Sequence, residues 1–326
     1  IEVPVKAGQN VNVGYYYQAD FTVNGQTVTS NSGSTSKFES SDFTANADGT
    51  LTITVNTLTY FTGITVGTKV PYAENIYVGA DKEYKTINDA LAAVRLMDRP
   101  NSERVTINVD PGDYQEMLVI DVDNVTLKNT AANPDTALIN KGVNITENGV
   151  RVTSYYIHGY NYFSMTDDCK YDEEVLKTNK ENGYISFENP GSGTTKNSYW
   201  NATVTVRGTG FEADGIIFEN SANQYISTKE ANDVVQEWTV GGKGTRPTTA
   251  GDTSVQNKSF VERAAAIAIL GDKAYFNNCK FVGRQDTLYG ASNIRAAFNK
   301  CTAMGGTDFI FGGMVATFYC CSAGIW

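Results

Sequence analysis

Histidine is nearly missing from these 326 residues: there is one, His158. A single imidazole excludes multi-histidine zinc sites, and it leaves a Ser-His-Asp triad only if that one residue serves it. Basic residues are also in deficit, 26 against 36 acids, for a net charge of −10. A chain of that sign lacks the cationic surface that holds nucleic acid by its phosphates. No apolar run approaches the roughly 18 residues of a membrane-spanning helix, so no membrane partner is expected. The cysteines are Cys169, Cys279, Cys301, Cys320 and Cys321. An odd number at wide spacing is not a disulfide framework, and free buried thiols are the expectation. Hydrolytic chemistry, if present, is left to carboxylates.

What remains is enough for a core. Hydrophobic residues make up 41% and charged residues 19%, the balance of a globular chain. At about 150 residues per domain, the length predicts two domains. The sequence starts at Ile1 without a charged-then-apolar leader, as a mature or excised piece would. Its Tyr-, Thr- and Asn-rich composition with few lysines fits an exported protein, secreted or held at the cell surface.

Residues 1–70 read as strands throughout. Tyr15, Tyr16 and Tyr17 lead into Phe21-Thr22-Val23, and Asn24-Gly25 is a two-residue hairpin turn. Alternation over Leu51 to Val55 buries one face. An antiparallel, sandwich-like β module is expected, and the three tyrosines are either its core and rim or a carbohydrate platform. Gly67 to Asn75 reads as a linker. From residue 75 to 326 a second unit follows. Thr86, with Asp89 three residues on, opens one helix carrying Ala90, Leu91 and Val94. Short strands between polar turns come next, among them Val105 to Val109, Val204 to Val206 and Ala265 to Leu270. Two stretches break the rhythm, residues 159–201 and 223–262, and read as insertions or long surface loops. The second holds Gly241-Gly242-Lys243-Gly244, which lacks the strand before it and the helix after it that a phosphate loop needs.

The C-terminal third repeats itself. Ala274 to Leu288, Ala296 to Ile310 and Ala316 onward align so that Phe276, Phe298 and Phe318 coincide, as do Cys279, Cys301 and Cys321. Strand-rich repeats of about 20 residues predict a parallel β-helix, one coil per repeat; propeller blades run to about 40. Equivalent residues on neighbouring coils then lie about 4.8 Å apart.

That repeat stacks Asp286 on Asp308. Two carboxylates on one outward face raise each other's proton affinity, which supplies a neutral acid beside an ionised one. An ionised Asp can attack a carbonyl carbon and a neutral one can protonate the departing oxygen, while Gln285 offers an amide to an oxyanion. Asp is equally at home as a plain turn residue of a coil bend.

Gln285-Asp286-Thr287-Leu288-Tyr289 and Asp308-Phe309-Ile310-Phe311-Gly312 resemble the signature segments of the pectin methylesterase (pectinesterase) family. Gly112-Asp113-Tyr114-Gln115-Glu116, Tyr84-Lys85-Thr86-Ile87 and Gly210-Phe211 through Ala222 resemble further family stretches, so the likeness covers roughly residues 75 to 326. It implies an all-β, right-handed parallel β-helix of the pectin-lyase-like kind that hydrolyses methyl esters of galacturonate in pectin, as a secreted monomer without metal or other cofactor. By that resemblance Asp308 is the nucleophile, Asp286 the acid and then the base, and Gln285 an oxyanion donor. Tyr289 and Phe311 would line the sugar groove, since rings give stacking area at low entropic cost. The acidic chain favours a partly esterified, less charged polymer.

Two departures from the family pattern stand out. Arg263 occupies the place of a second oxyanion-side Gln, where it would donate as a bulkier, permanently charged group or pair with one of the acids. The family's downstream Leu-Gly-Arg-Pro-Trp segment is absent, because the sequence stops at Trp326. The expectation is a β-helix cut short and poorly active by itself. A pectate lyase would instead need calcium-holding carboxylates beside a basic proton abstractor, and a solenoid adhesin would need neither acid.

Overall fold

The computed structural model describes residues 1–34, 38–100, 102–156, 202–232, 248–257, 263 and 265–325. His158, Cys169, most of both expected insertions and the 241–244 glycine run lie outside the described residues.

The first strands pair as two antiparallel sheets. One orders Glu2–Val5, Gly49–Val55, Gln18–Val23 and Gln26–Asn31; the other places Gln9–Tyr16 between Phe38–Thr44 and Tyr60–Thr68. Period-two alternation turns Val11, Val13, Phe21, Phe43, Leu51 and Ile53 into a single core between them. Asn24 and Gly25 both have positive φ, 50° and 80°, as the tight primed hairpin turn demands. The tyrosine run splits: Tyr15 is core, Tyr16 meets Tyr60 at 5.4 Å with the rings tilted, and Tyr17 is exposed. The expected linker is more ordered than its composition suggests. The last long strand runs to Thr68, Val70–Pro71 pairs in parallel with Met97–Asp98, and the Lys69 ammonium sits 2.9 Å from Asp98.

From Asn75 onward the strands form three parallel walls. The first has seven strands, Asn75–Val78, Val105–Val109, Val125–Asn129, Glu212–Asp214, Ala274–Asn277, Arg295–Asn299 and Val315–Tyr319. The second has six, from Gly112–Tyr114 to Ser322–Ile325, and the third five, from Leu118–Ile120 to Ile310–Gly312. Successive strands visit the walls in turn, so each circuit is one coil of a parallel β-helix, as the repeat predicts. Inward positions fill the bore. Phe276 stacks on Phe298 at 5.1 Å and Phe298 on Phe318 at 4.6 Å, both within 7° of parallel. The expected cysteine column is also there as free thiols: Cys279 and Cys301 are buried, and the Cys301 amide donates to Cys321 Sγ at 3.4 Å.

The helix Ile87–Arg95 closes the first coil. Ile87, Ala90, Leu91 and Val94 join the same core as Ile76, Val105 and Leu118. The Thr86 hydroxyl accepts the Asp89 amide at 3.0 Å, the N-cap read from sequence. A second cap comes from afar, because the Glu116 carboxylate accepts the Ile87 and Asn88 amides at 2.9 and 3.0 Å. An acid at a helix N-terminus also meets the positive end of the dipole. Thus the glutamate of Gly112-Asp113-Tyr114-Gln115-Glu116 serves architecture. Tyr114 does too, its hydroxyl donating to the Asp110 carbonyl at 2.8 Å, with burial pushing its pKa up to about 12.

Candidate functional site

One edge of the β-helix differs from the others. Between the second and third walls the chain makes a short bend in the first coil, residues 115–117, whereas in the next two coils the walls are separated by many more residues of sequence, 155–203 and 221–266. In the following two coils it is short again, residues 283–287 and 306–309, and these short bends carry Gln285-Asp286 and Asp308.

Strand register fixes how those bends stack. Leu288 pairs with Ile310 and Tyr289 with Phe311, and on the other side of the acids Gln285 bridges Thr307. The Asp286 amide donates to the Thr307 carbonyl at 3.1 Å and the Leu288 amide to the Phe309 carbonyl at 2.9 Å. Asp286 and Asp308 are therefore equivalent residues of adjacent coils. Both hold left-handed backbone, φ 59° and 49°, a conformation Asp tolerates better than most residues. The same conformation recurs at Asn278, Lys300 and Cys320 in the bends between the first and second walls, φ 48°, 53° and 51°. It is a property of the coil's corners, shared by the two acids.

Their surroundings are unequal. Asp286 is only 4% exposed, with Thr287 beside it fully buried, whereas Asp308 is exposed. The side chain of Asp308 makes no hydrogen bond or ion pair among the described residues. The expectation of two outward acids thus needs amending: one is open to solvent and its neighbour is enclosed. The enclosure follows from position, since the Asp286 bend has a coil on either side.

Next to the acids two rings meet. Tyr289 and Phe311 lie on adjacent strands of the third wall with centroids 5.0 Å apart and both are half-buried. Tyr289 also packs on a small cluster of Ala202, Ala265 and Ala268 on the outer face of that wall. Gly312 holds the coils close here: at φ 110° it sits where any Cβ would strike the Gly290 carbonyl. Arg263 is exposed. Arg284, adjacent to Gln285, donates from Nη2 to the Gln256 carbonyl, and Gln256 Nε2 reaches the Gln224 carbonyl at 2.8 Å. That chain ties the start of the acid-bearing bend to the excursion of the preceding coil.

A second charged cluster, on the outer face of the second wall, has no counterpart among the sequence motifs. Arg151 is buried and donates from Nε to Asp113 Oδ1 at 2.9 Å, with Nη2 on the other Asp113 oxygen. It also reaches the Gly142 and Val143 carbonyls, and its Nη1 lies 3.2 Å from Glu219 Oε2. The Tyr225 hydroxyl and the Thr153 hydroxyl donate to the same Glu219 oxygen at 2.8 and 3.0 Å. Burial raises the Glu219 pKa against the pull of Arg151. The guanidinium is itself disfavoured by burial but is held charged by Glu219 and Asp113. The signal available in the sequence was register alone, because Asp113 pairs with Arg151 and Thr153 with Glu219 only once the wall is built.

Residues 226–325 match the family model described as Pectinesterase. A pectinesterase of Ralstonia solanacearum is 35% identical over 126 residues, 37% of this chain and 24% of that protein. Pectinesterase 4 of Arabidopsis thaliana is 33% identical over 142 residues, 44% of this chain and 20% of that one. The chain thus spans a quarter or less of the length of these relatives. Among solved structures, a pectin methylesterase from Erwinia chrysanthemi matches 77% of this chain and 55% of its own at 23% identity, TM-score 0.46. The rice weevil pectin methyl esterase matches 78% and 58% at 17%, TM-score 0.49.

Proposed function

Because residues 226–325 match the pectinesterase family model, we propose that this protein hydrolyses the methyl esters of galacturonate units in pectin, releasing methanol and a free carboxylate. The observation that carries the proposal is the register of Asp286 and Asp308 on adjacent coils, inside the matched segment.

In this reading the exposed Asp308, ionised, attacks the ester carbonyl carbon. Charge gathers on the carbonyl oxygen, where the Gln285 amide donates to it; Arg263 takes the place of a second donor. The tetrahedral adduct collapses by breaking the bond to the methoxy group, which leaves as methanol with the proton of Asp286. The product is an acyl-enzyme on Asp308. Asp286, now ionised, takes a proton from water; the resulting hydroxide attacks the acyl carbon, and Asp308 departs as carboxylate. Asp286 is then protonated again and the cycle closes. Asp286 is enclosed and Asp308 open to solvent, so the two carboxylates are inequivalent, as an acid and a nucleophile must be. Tyr289 and Phe311 supply the apolar faces on which the sugar rings lie. The polymer substrate puts the protein outside the cell, where it acts as a monomer.

Methanol release from methyl-esterified pectin tests this. Asp308→Ala should abolish turnover while pectin binding persists. Undiminished release by the variant would defeat the assignment.

A further inference from the structure

The outward face of the first wall is remote from the bend that carries the acids, and it has its own character. Strand register places Tyr77, Asn108, Lys128, Asp214 and Asn277 in one column, and Thr126, Glu212 and Tyr275 in the next. A groove of about 380 Å³ runs over these strands. Its floor is amide, hydroxyl and charged groups; Tyr275 lines it, 40% exposed, and Tyr77, 48% exposed, lies past its end on the edge strand beside Asn108. The two tyrosines are on strands four steps apart, about 19 Å at one strand spacing per step. That is room for an oligosaccharide rather than a single ring.

The charges in the groove are settled except for one. Arg104 donates to Thr126 Oγ1 at 3.0 Å and to the Gly210 carbonyl at 2.9 Å, and it pairs with Glu212 at 3.1 Å. Asp214 accepts Asn277 Nδ2 at 2.7 Å. Lys128, on the strand midway between the two tyrosines, is exposed and its ammonium has no hydrogen bond or ion pair among the described residues. Asp214 is one rung further along, so an anion would approach Lys128 from the Asn108 side.

We propose that this wall is a second glycan-binding surface, which takes a uronic-acid oligosaccharide laid along the helix axis. Its rings stack on Tyr77 and Tyr275, and one carboxylate rests on Lys128. Exposed aromatic faces separated by hydrogen-bonding groups match the alternating apolar faces and hydroxyl edges of pyranose rings, and the unpaired cation selects an acidic chain over a neutral one. The choice of a uronate rests on the esterase reading; the surface holds de-esterified polymer while the acid-bearing edge works elsewhere on it.

The test is retardation of the whole protein in gels containing polygalacturonate, with neutral xylan as the comparison polymer. Tyr77→Ala with Tyr275→Ala should weaken retention about tenfold, as loss of two stacking contacts would, and Lys128→Gln should weaken it less and remove its salt dependence. All three side chains are exposed, so melting temperatures should not move. Methanol release from short methylated oligosaccharides should also stay at the parent level. Retention unchanged by these variants but abolished by Tyr289→Ala would overturn the proposal, since all binding would then lie at the acid-bearing edge. Equal retention in xylan, unaffected by Lys128→Gln, would overturn the uronate assignment. Failure of the parent to release methanol would defeat the esterase reading instead, and wall-dependent retention would survive it.

Discussion

Two sets of acids stack across neighbouring coils of this β-helix, and they have opposite fates. Asp113 and Glu219 flank Arg151, one coil to either side, and the guanidinium between them is buried with five hydrogen-bonded or ion-paired oxygens around it. Asp286 and Asp308 follow one another directly, and the outer of the two has no partner among the described residues. A coiled repeat brings like charges together wherever the sequence repeats an acid. A cation placed between them makes a rivet.

Variants should therefore separate the two sets cleanly. The largest effect belongs to Asp308→Ala, expected to lower methanol release by at least about a thousandfold, as loss of a nucleophile does. Its melting temperature should fall only slightly, because the side chain is exposed and has no partner among the described residues, and Ala merely tolerates the left-handed backbone less well than Asp. The mirror case is Arg151→Met, which strands two acids, one of them fully buried. It should cost about 3–5 kcal/mol in denaturant unfolding, with turnover per folded molecule retained. If Arg151→Met lost activity without losing stability, the division between rivet and reactive pair would fail.

A smaller effect is read in the pH dependence of stability. Burial raises the Glu219 pKa above its ordinary 4.5, so the folded chain keeps a proton that the unfolded chain has released. Stability must then fall as pH rises from about 4.5 toward the folded pKa. Glu219→Gln should flatten that part of the melting-temperature profile, and an unchanged slope would place the titration elsewhere. The smallest effect is expected at the surface. Arg295 holds Asp272 down to about 2, so this pair contributes above the ordinary carboxylate pKa and its contribution is lost as pH falls from about 3.8 toward 2. Asp272→Asn should remove only a slight acid-side slope, one that salt also suppresses.

Much of this was legible in the residues. Phe276, Phe298 and Phe318 announce the coil because a ring ladder must recur at the coil's own period, and the same period sets Asp286 on Asp308. Asn24-Gly25 announces a hairpin because few other pairs accept two positive φ values. Other features depended on contacts that no local pattern encodes. Glu116 caps a helix 29 residues before it, and Arg151 meets Glu219 from 68 positions away by the pairing of separate strands. The unequal exposure of Asp286 and Asp308 was likewise invisible, since a repeat makes two positions equivalent in register while their neighbours decide how much water each one sees. The ordered join at Val70 was hidden for a similar reason: its pairing partner, Met97, lies beyond an intervening helix.

The most direct trial of the central claim is a double-mutant cycle on methanol release, with Asp286→Asn, Asp308→Asn and both together. Two carboxylates that work on one ester as a unit should give single variants nearly as inactive as the double, all three with the melting temperature of the parent. Additive, modest losses would contradict the account, as would a single variant that still turns over at the parent rate.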